Sequence, residues 1–151
     1  MKVLIVFATN SGGTQIAADL VKATLGKNNH EVFIKEVRET NAAEFAEYDL
    51  IILSSPSWDY EGLEGQPHPD YRPFMQGIKD GQFTGKKFAI VGLGDSSYTV
   101  FCGAVNVLSD FIKKIGGTLV DSIKIDGFYL DQATNSQKLD DWAQNLAQKI
   151  S

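Results

Sequence analysis

Three stretches of this chain hold the residues whose types and spacing could do chemistry. The first is Thr9-Asn10-Ser11-Gly12-Gly13-Thr14, where three hydroxyls, an amide and two glycines follow one another without a charged side chain. Such a run suits an anion held by hydroxyls and backbone N–H groups. A nucleoside triphosphate would need a glycine-lysine-serine or glycine-lysine-threonine ending for its phosphates and magnesium, and a dinucleotide would need the three-glycine spacing. Both are absent. One terminal phosphate fits what remains, while an ordinary capped turn is the alternative that the loop by itself leaves open.

The second stretch carries Ser57, Trp58, Asp59 and Tyr60; the third carries Leu93, Gly94, Asp95, Tyr98, Phe101 and Cys102. Aromatic side chains on two loops can hold a flat ring between them. Asp95 adds an acceptor for a ring imide N–H, and neighbouring loop amides can donate to ring carbonyls. Taken singly, each aromatic could equally anchor its loop on the core. Cys102 is the only cysteine, so an internal disulfide and a cysteine-built metal site are excluded. It reads as a small packing residue rather than a reactive thiol. His30 and His68, the two histidines, stand far apart in the chain, and no metal site is expected.

The elements that must position these stretches follow from periodicity. Residues 2–8 form a short apolar run, as expected of a parallel strand buried on both faces. A helix follows the first loop and is expected to stop at Gly26. Residues 30–37 read as a second strand and 40–47 as a brief helix capped by Thr40 or Asn41. Residues 48–53 form a third strand ending in a long loop over 54–71 that holds three of the four prolines. A helix then starts near Tyr71, a fourth strand spans 88–93, and a helix ends at Gly116-Gly117. A fifth strand covers 118–125, and a last helix from Asn135 or Ser136 makes Trp142 a core residue. The expected fold is α/β, a doubly wound five-stranded parallel sheet of order 2-1-3-4-5 with helices on both faces, forming one domain over residues 1–151. Ligands of such sheets bind beyond the carboxyl ends of the strands, which brings loops 9–14, 54–71 and 94–102 together.

Composition narrows the function. A net charge of −5 argues against nucleic-acid and anionic-membrane binding. The chain leads straight into a strand without a signal-peptide pattern, and no apolar run reaches membrane-spanning length, so the cytoplasm is expected. Nothing in the composition calls for an obligate dimer, and a monomer is expected.

Over essentially its whole length the chain resembles the flavodoxins, specifically the short-chain kind. The resemblance rests on Thr9 to Thr14, on Trp58, and on Gly92-Leu93-Gly94-Asp95-Ser96-Ser97-Tyr98 with Phe101-Cys102-Gly103-Ala104-Val105. It implies a non-covalently bound FMN, with its phosphate on Thr9, Ser11 and Thr14 hydroxyls and the amides of residues 10–14, assisted by Ser57. It also implies Trp58 and Tyr98 flanking the isoalloxazine, Asp95 accepting from the ring imide, and Gly94 and Cys102 backbone near the pyrimidine edge. The implied activity is that of a low-potential one-electron carrier cycling between semiquinone and hydroquinone, not of an enzyme. Its partners would be redox proteins with basic docking surfaces, met by Asp59, Glu61, Glu64, Asp70 and Asp95. Departures from the family pattern lie at Pro56, at Asp59, where relatives often have glycine, and in the 61–70 segment. An FMN-dependent quinone or azo reductase is the alternative. A phosphoacceptor receiver domain is disfavoured because Ala8-Thr9 and Ser54-Ser55 stand where it needs acidic residues.

Overall fold

The computed structural model describes residues 1–60, 62–97 and 100–150, with Tyr60 defined by its backbone only. The interior strand β1 (Lys2–Phe7) is buried from Val3 to Phe7. It can be apolar throughout because it is covered on both faces, and its side chains alternate between two cores. Val3 and Ile5 join Leu50, Ile52, Ala89 and Val91 against α1 (Gly13–Lys27) and α4 (Gln132–Ile150). Leu4 and Val6 join Ile51, Leu53, Phe88 and Ile90 against Phe45, α2 (Tyr71–Gln76) and α3 (Gly103–Lys114). Trp142 lies in the first of these cores, as its helical spacing predicts.

The parallel strands run β2 (Glu31–Glu36), β1, β3 (Leu50–Tyr60), β5 (Lys87–Gly94) and β6 (Thr118–Asp126), which is the expected 2-1-3-4-5 order. A sixth strand, β4 (Leu63–Pro67), pairs antiparallel with the far half of β3. It corrects the expectation of five strands and of a loop over 54–71. Strand β3 does not end at Leu53, because Ser54, Ser55 and Pro56 stay in register with Val91, Gly92 and Leu93 of β5. Beyond them, Ser57 and Trp58 pair with Pro67 and Gln66.

Other boundaries differ for local reasons. Helix α1 runs through Gly26 to Lys27, and the left-handed residue that follows is Asn29, at φ 68°. Asparagine tolerates this region almost as glycine does. Residues 42–47 form a 3-10 helix with the Asn41 side chain accepting from the Ala43 N–H at 3.0 Å. The last helix begins at Gln132, a turn before the expected start.

Tyr71 ties the fold to the sheet edge that carries the loops. Its hydroxyl is fully buried and lies 2.9 Å from the carbonyl oxygens of both Val6 and Ser54, at the ends of the apolar parts of β1 and β3. Burial holds the phenol in its protonated, donating form. Tyr71→Phe leaves these carbonyls without that donor, and unfolding free energy is expected to fall by about 1–3 kcal/mol. Urea unfolding checks this: the midpoint drops while the slope stays the same.

Candidate functional site

The amino end of α1 is built for an anion. Gly12 occupies the cap position at φ 91°, no side chain caps the helix, and its first turn holds no acidic residue. The first N–H groups of a helix have no intrahelical partner, and the helix dipole adds positive potential there. Thr9 Oγ1 accepts from the Gly12 N–H at 2.9 Å, and the helix ladder starts with the Ile16 N–H on the Gly12 carbonyl. Thr14 is buried, Thr9 half-buried, and Asn10 and Ser11 exposed. Thr9, Asn10, Ser11, Gly13 and Thr14 all border one cavity of about 250 Å³.

The far half of β3 forms the next wall. Ser57 Oγ accepts from the Ala104 N–H at the start of α3, at 3.1 Å. Trp58 borders the first cavity and also a second, of about 470 Å³, which it lines together with Asp59, Glu64, Gly65 and Val100. Asn10 and Ser57 border both cavities as well, so the two form one cleft astride the indole. The β3–β4 hairpin is seated directly on α3. A Cβ on Gly65, which has φ 73°, would stand 2.6 Å from a Val100 methyl, and one on Gly103 would stand 2.6 Å from the Gly65 Cα. Backbone against backbone at this point requires glycine. Asp59 lies in extended β3, and the described non-glycine residues with positive φ are Asn29 and Cys102.

At the end of β5, Leu93, Gly94 and Asp95 border the 250 Å³ cavity. Asp95 Oδ1 accepts from the Ser97 N–H at 2.8 Å, which fixes the turn and the carboxylate with it. Phe101 is half-buried against the α2–α3 core and lines neither cavity. Cys102 is fully buried at φ 48°, its Sγ 3.8 Å from the Gly92 carbonyl and 3.7 Å from that of Ile125. Burial pushes its thiol up to about 11. Tyr98 and Glu61 lie outside the described residues, as does the Tyr60 side chain.

A fourth loop, after β6, completes the first cavity with Phe128 and Tyr129. Sequence reasoning missed it, although two aromatics directly after Asp126-Gly127, beyond a parallel strand, were the available signal. Ser96 donates to Asp126 from its hydroxyl at 2.6 Å and from its N–H at 2.9 Å, and these bonds hold that carboxyl below the usual range. Among the described residues neither cavity is lined by Lys or Arg, and no group of three or more potential metal ligands occurs. Hydroxyls and amides at one end, with an indole and a carboxylate at the other, fit a phosphorylated flat ring. No described helix is long and apolar enough to cross a membrane.

Comparison with known proteins addresses the family and the fold. The flavodoxin family model matches residues 5–145. A flavodoxin of Maridesulfovibrio salexigens is 31% identical over 151 residues, covering 99% of each chain. Among solved structures, a flavodoxin of Streptococcus pneumoniae TIGR4 superposes with TM-score 0.85 at 26% identity, with 99% of both chains covered. One of Fusobacterium nucleatum bound to flavin mononucleotide does so at 0.80 and 20% identity, again with 99% of both covered, a likeness of fold.

The burial of Cys102 has a direct consequence. With the thiol near 11, about one molecule in a thousand carries a thiolate at pH 8. The folded protein is expected to be inert to a thiol reagent at pH 8 and to react with one equivalent after denaturation. Rapid labelling of the folded state would contradict the packing described here.

Proposed function

The chain belongs to the flavodoxin family, and we propose that it binds one FMN in the cleft astride Trp58 and carries single electrons between other proteins. Flavodoxins transfer electrons and turn over no substrate of their own, which sets aside the quinone or azo reductase alternative. Bound FMN would supply the redox chemistry, and the chain positions it and sets its electrostatics. The observation that carries the proposal is the continuity of the cleft. An uncapped helix start lies at one end and an indole at the other, with Asn10 and Ser57 bordering both cavities.

In this reading the Thr9, Ser11 and Thr14 hydroxyls and the N–H groups of residues 10–14 hold the phosphate, with Ser57 beside them. Trp58 packs on one ring face, and the family resemblance assigns the other face to Tyr98. Asp95 accepts a hydrogen bond from the ring imide N–H, while Leu93, Gly94 and the Cys102 backbone close on the pyrimidine edge; Tyr60 is assigned to the same site by its place in the sequence, and Phe101 anchors its loop on the core.

The charges bear on potential. Asp59, Glu64 and Asp95 border the cleft, with no Lys or Arg lining it among the described residues. An extra negative charge on a ring held here is disfavoured by these carboxylates and by desolvation. The last electron is therefore held at low potential, and the working exchange is between the one-electron-reduced and the hydroquinone levels. Turning the peptide of Asp59 to meet a ring proton would require positive φ, costlier for Asp than for glycine. The same carboxylates, to which the sequence adds Asp70 and Glu61, are the groups proposed to meet basic redox partners, and association should weaken as salt rises. The proposed setting is a cytoplasmic, single-domain monomer.

Stepwise reduction followed by absorption tests the electron-carrier role. Two separated one-electron stages are expected, the second at low potential; a single two-electron stage would contradict it. The phosphate assignment has its own check in Ser11→Ala and Thr14→Ala. Each removes a hydrogen bond to a charged group, so FMN should bind about 10- to 100-fold more weakly. Riboflavin, lacking the phosphate, should be little affected, and equal losses for both ligands would mean that this loop does not hold the phosphate.

A further inference from the structure

Residues 126–131 are held as firmly as a structural turn, yet they present one half-exposed aromatic to the loop at the head of α1. Asn135, a buried polar side chain, places its Nδ2 3.2 Å from the Asp126 carbonyl, 3.1 Å from that of Gly127 and 3.4 Å from that of Phe128. The Gly127 N–H donates to the Gly94 carbonyl at 2.8 Å, and the Leu130 N–H to the Gly127 carbonyl at 2.9 Å. Phe128 is buried beneath, its ring meeting that of Tyr129 edge to face at 5.5 Å. From this base the Tyr129 hydroxyl donates to the Ser11 carbonyl at 2.9 Å.

We propose that Tyr129 is a positioning residue of the phosphate site, a latch that fixes the Ser11–Gly12 peptide and so the path by which the chain enters α1. That peptide is held at both ends: its carbonyl by Tyr129, and its N–H by Thr9 Oγ1 at 2.9 Å. With the carbonyl oxygen engaged by Tyr129, its negative end is bound to a donor instead of being free to turn toward an anion. The chain therefore enters α1 with Gly12 at φ 91° and the first amides of the helix ordered before the ligand arrives. The ring occupies the space that small residues leave open. A Cβ on Gly13 would stand 3.2 Å from Tyr129 Cε2, and one on Gly12 would stand 3.5 Å from its hydroxyl oxygen. Gly13 thus makes room for the tyrosine ring, whereas Gly12 is required by its positive φ and would meet the hydroxyl only at ordinary contact distance.

This inference rests on the reading that the 9–14 loop holds the FMN phosphate, and affinities for FMN and riboflavin separate the two claims. Tyr129→Phe keeps the ring and removes only the donor. One lost hydrogen bond of ordinary strength corresponds to FMN binding about 2- to 12-fold more weakly, with riboflavin affinity within about twofold of the parent. Tyr129→Ala removes the ring too and should lower the FMN-to-riboflavin preference further. A preference unchanged in both variants would overturn the latch while leaving the phosphate site standing. Equal weakening of both ligands would overturn it too, because the effect would then lie outside the phosphate end. A parent protein binding FMN no better than riboflavin would remove the phosphate reading, and the latch with it.

Discussion

Everything at the ligand edge depends on the burial of β1 from both faces. A strand that sends Val3 and Ile5 into one core and Leu4 and Val6 into the other cannot shift register without moving apolar groups to the wrong side. Its carboxyl end is therefore a fixed point. From it the chain passes through five uncharged residues, Ala8 to Gly12, directly into α1, whose own buried face, Ala17, Ala18, Val21 and Leu25, is held against the same strand. The helix start is aimed by packing, and its unpaired amides need no cation beside them. Because the neighbouring strands β3 and β5 are parallel to β1, their ends arrive at the same edge and deliver Trp58 and Asp95 to one cleft.

Much of this was legible because it is written in local pattern. The apolar runs of the strands, the helical stripe of Leu139, Trp142 and Leu146, and the hydroxyl-glycine loop each carry their signal within a few residues, and the sheet order follows from the right-handed crossover rule. What escaped depends on contacts distant in sequence. Ser54-Ser55-Pro56-Ser57 reads as the start of a loop, yet it is strand because it stays paired with its neighbours in the sheet and several of its polar groups find partners from elsewhere. The Ser54 carbonyl takes the Ala8 N–H and the Tyr71 hydroxyl, and Ser55 Oγ takes the His68 N–H. Pairing with β4 then carries β3 through Trp58. Gly26 offered a stop that the helix did not need, since packing holds it to Lys27 and Asn29 makes the turn.

The candidate site shows the same division. The residues of the first loop, Trp58 and Asp95 stand around the cleft, where their types alone suggested. Phe101 does not line it, because its ring has a better use against the core. Tyr129 meets Ser11 across more than a hundred residues of chain, a contact that no local spacing could announce. Charge completes the physical picture. Hydrogen bonds without a cation suffice for a phosphate at a helix start. Around Trp58 the cleft is lined by carboxylates and, among the described residues, by no Lys or Arg, so the proposed ring would meet an environment set against accumulating negative charge.

The most direct measurement is an equilibrium titration of FMN with the flavin-free protein, followed by flavin fluorescence. A ring held against the Trp58 indole should lose its emission in a saturable manner, with one FMN bound per chain. Emission that stays at the level of free FMN, or that declines without saturation, would contradict a built flavin site in this cleft.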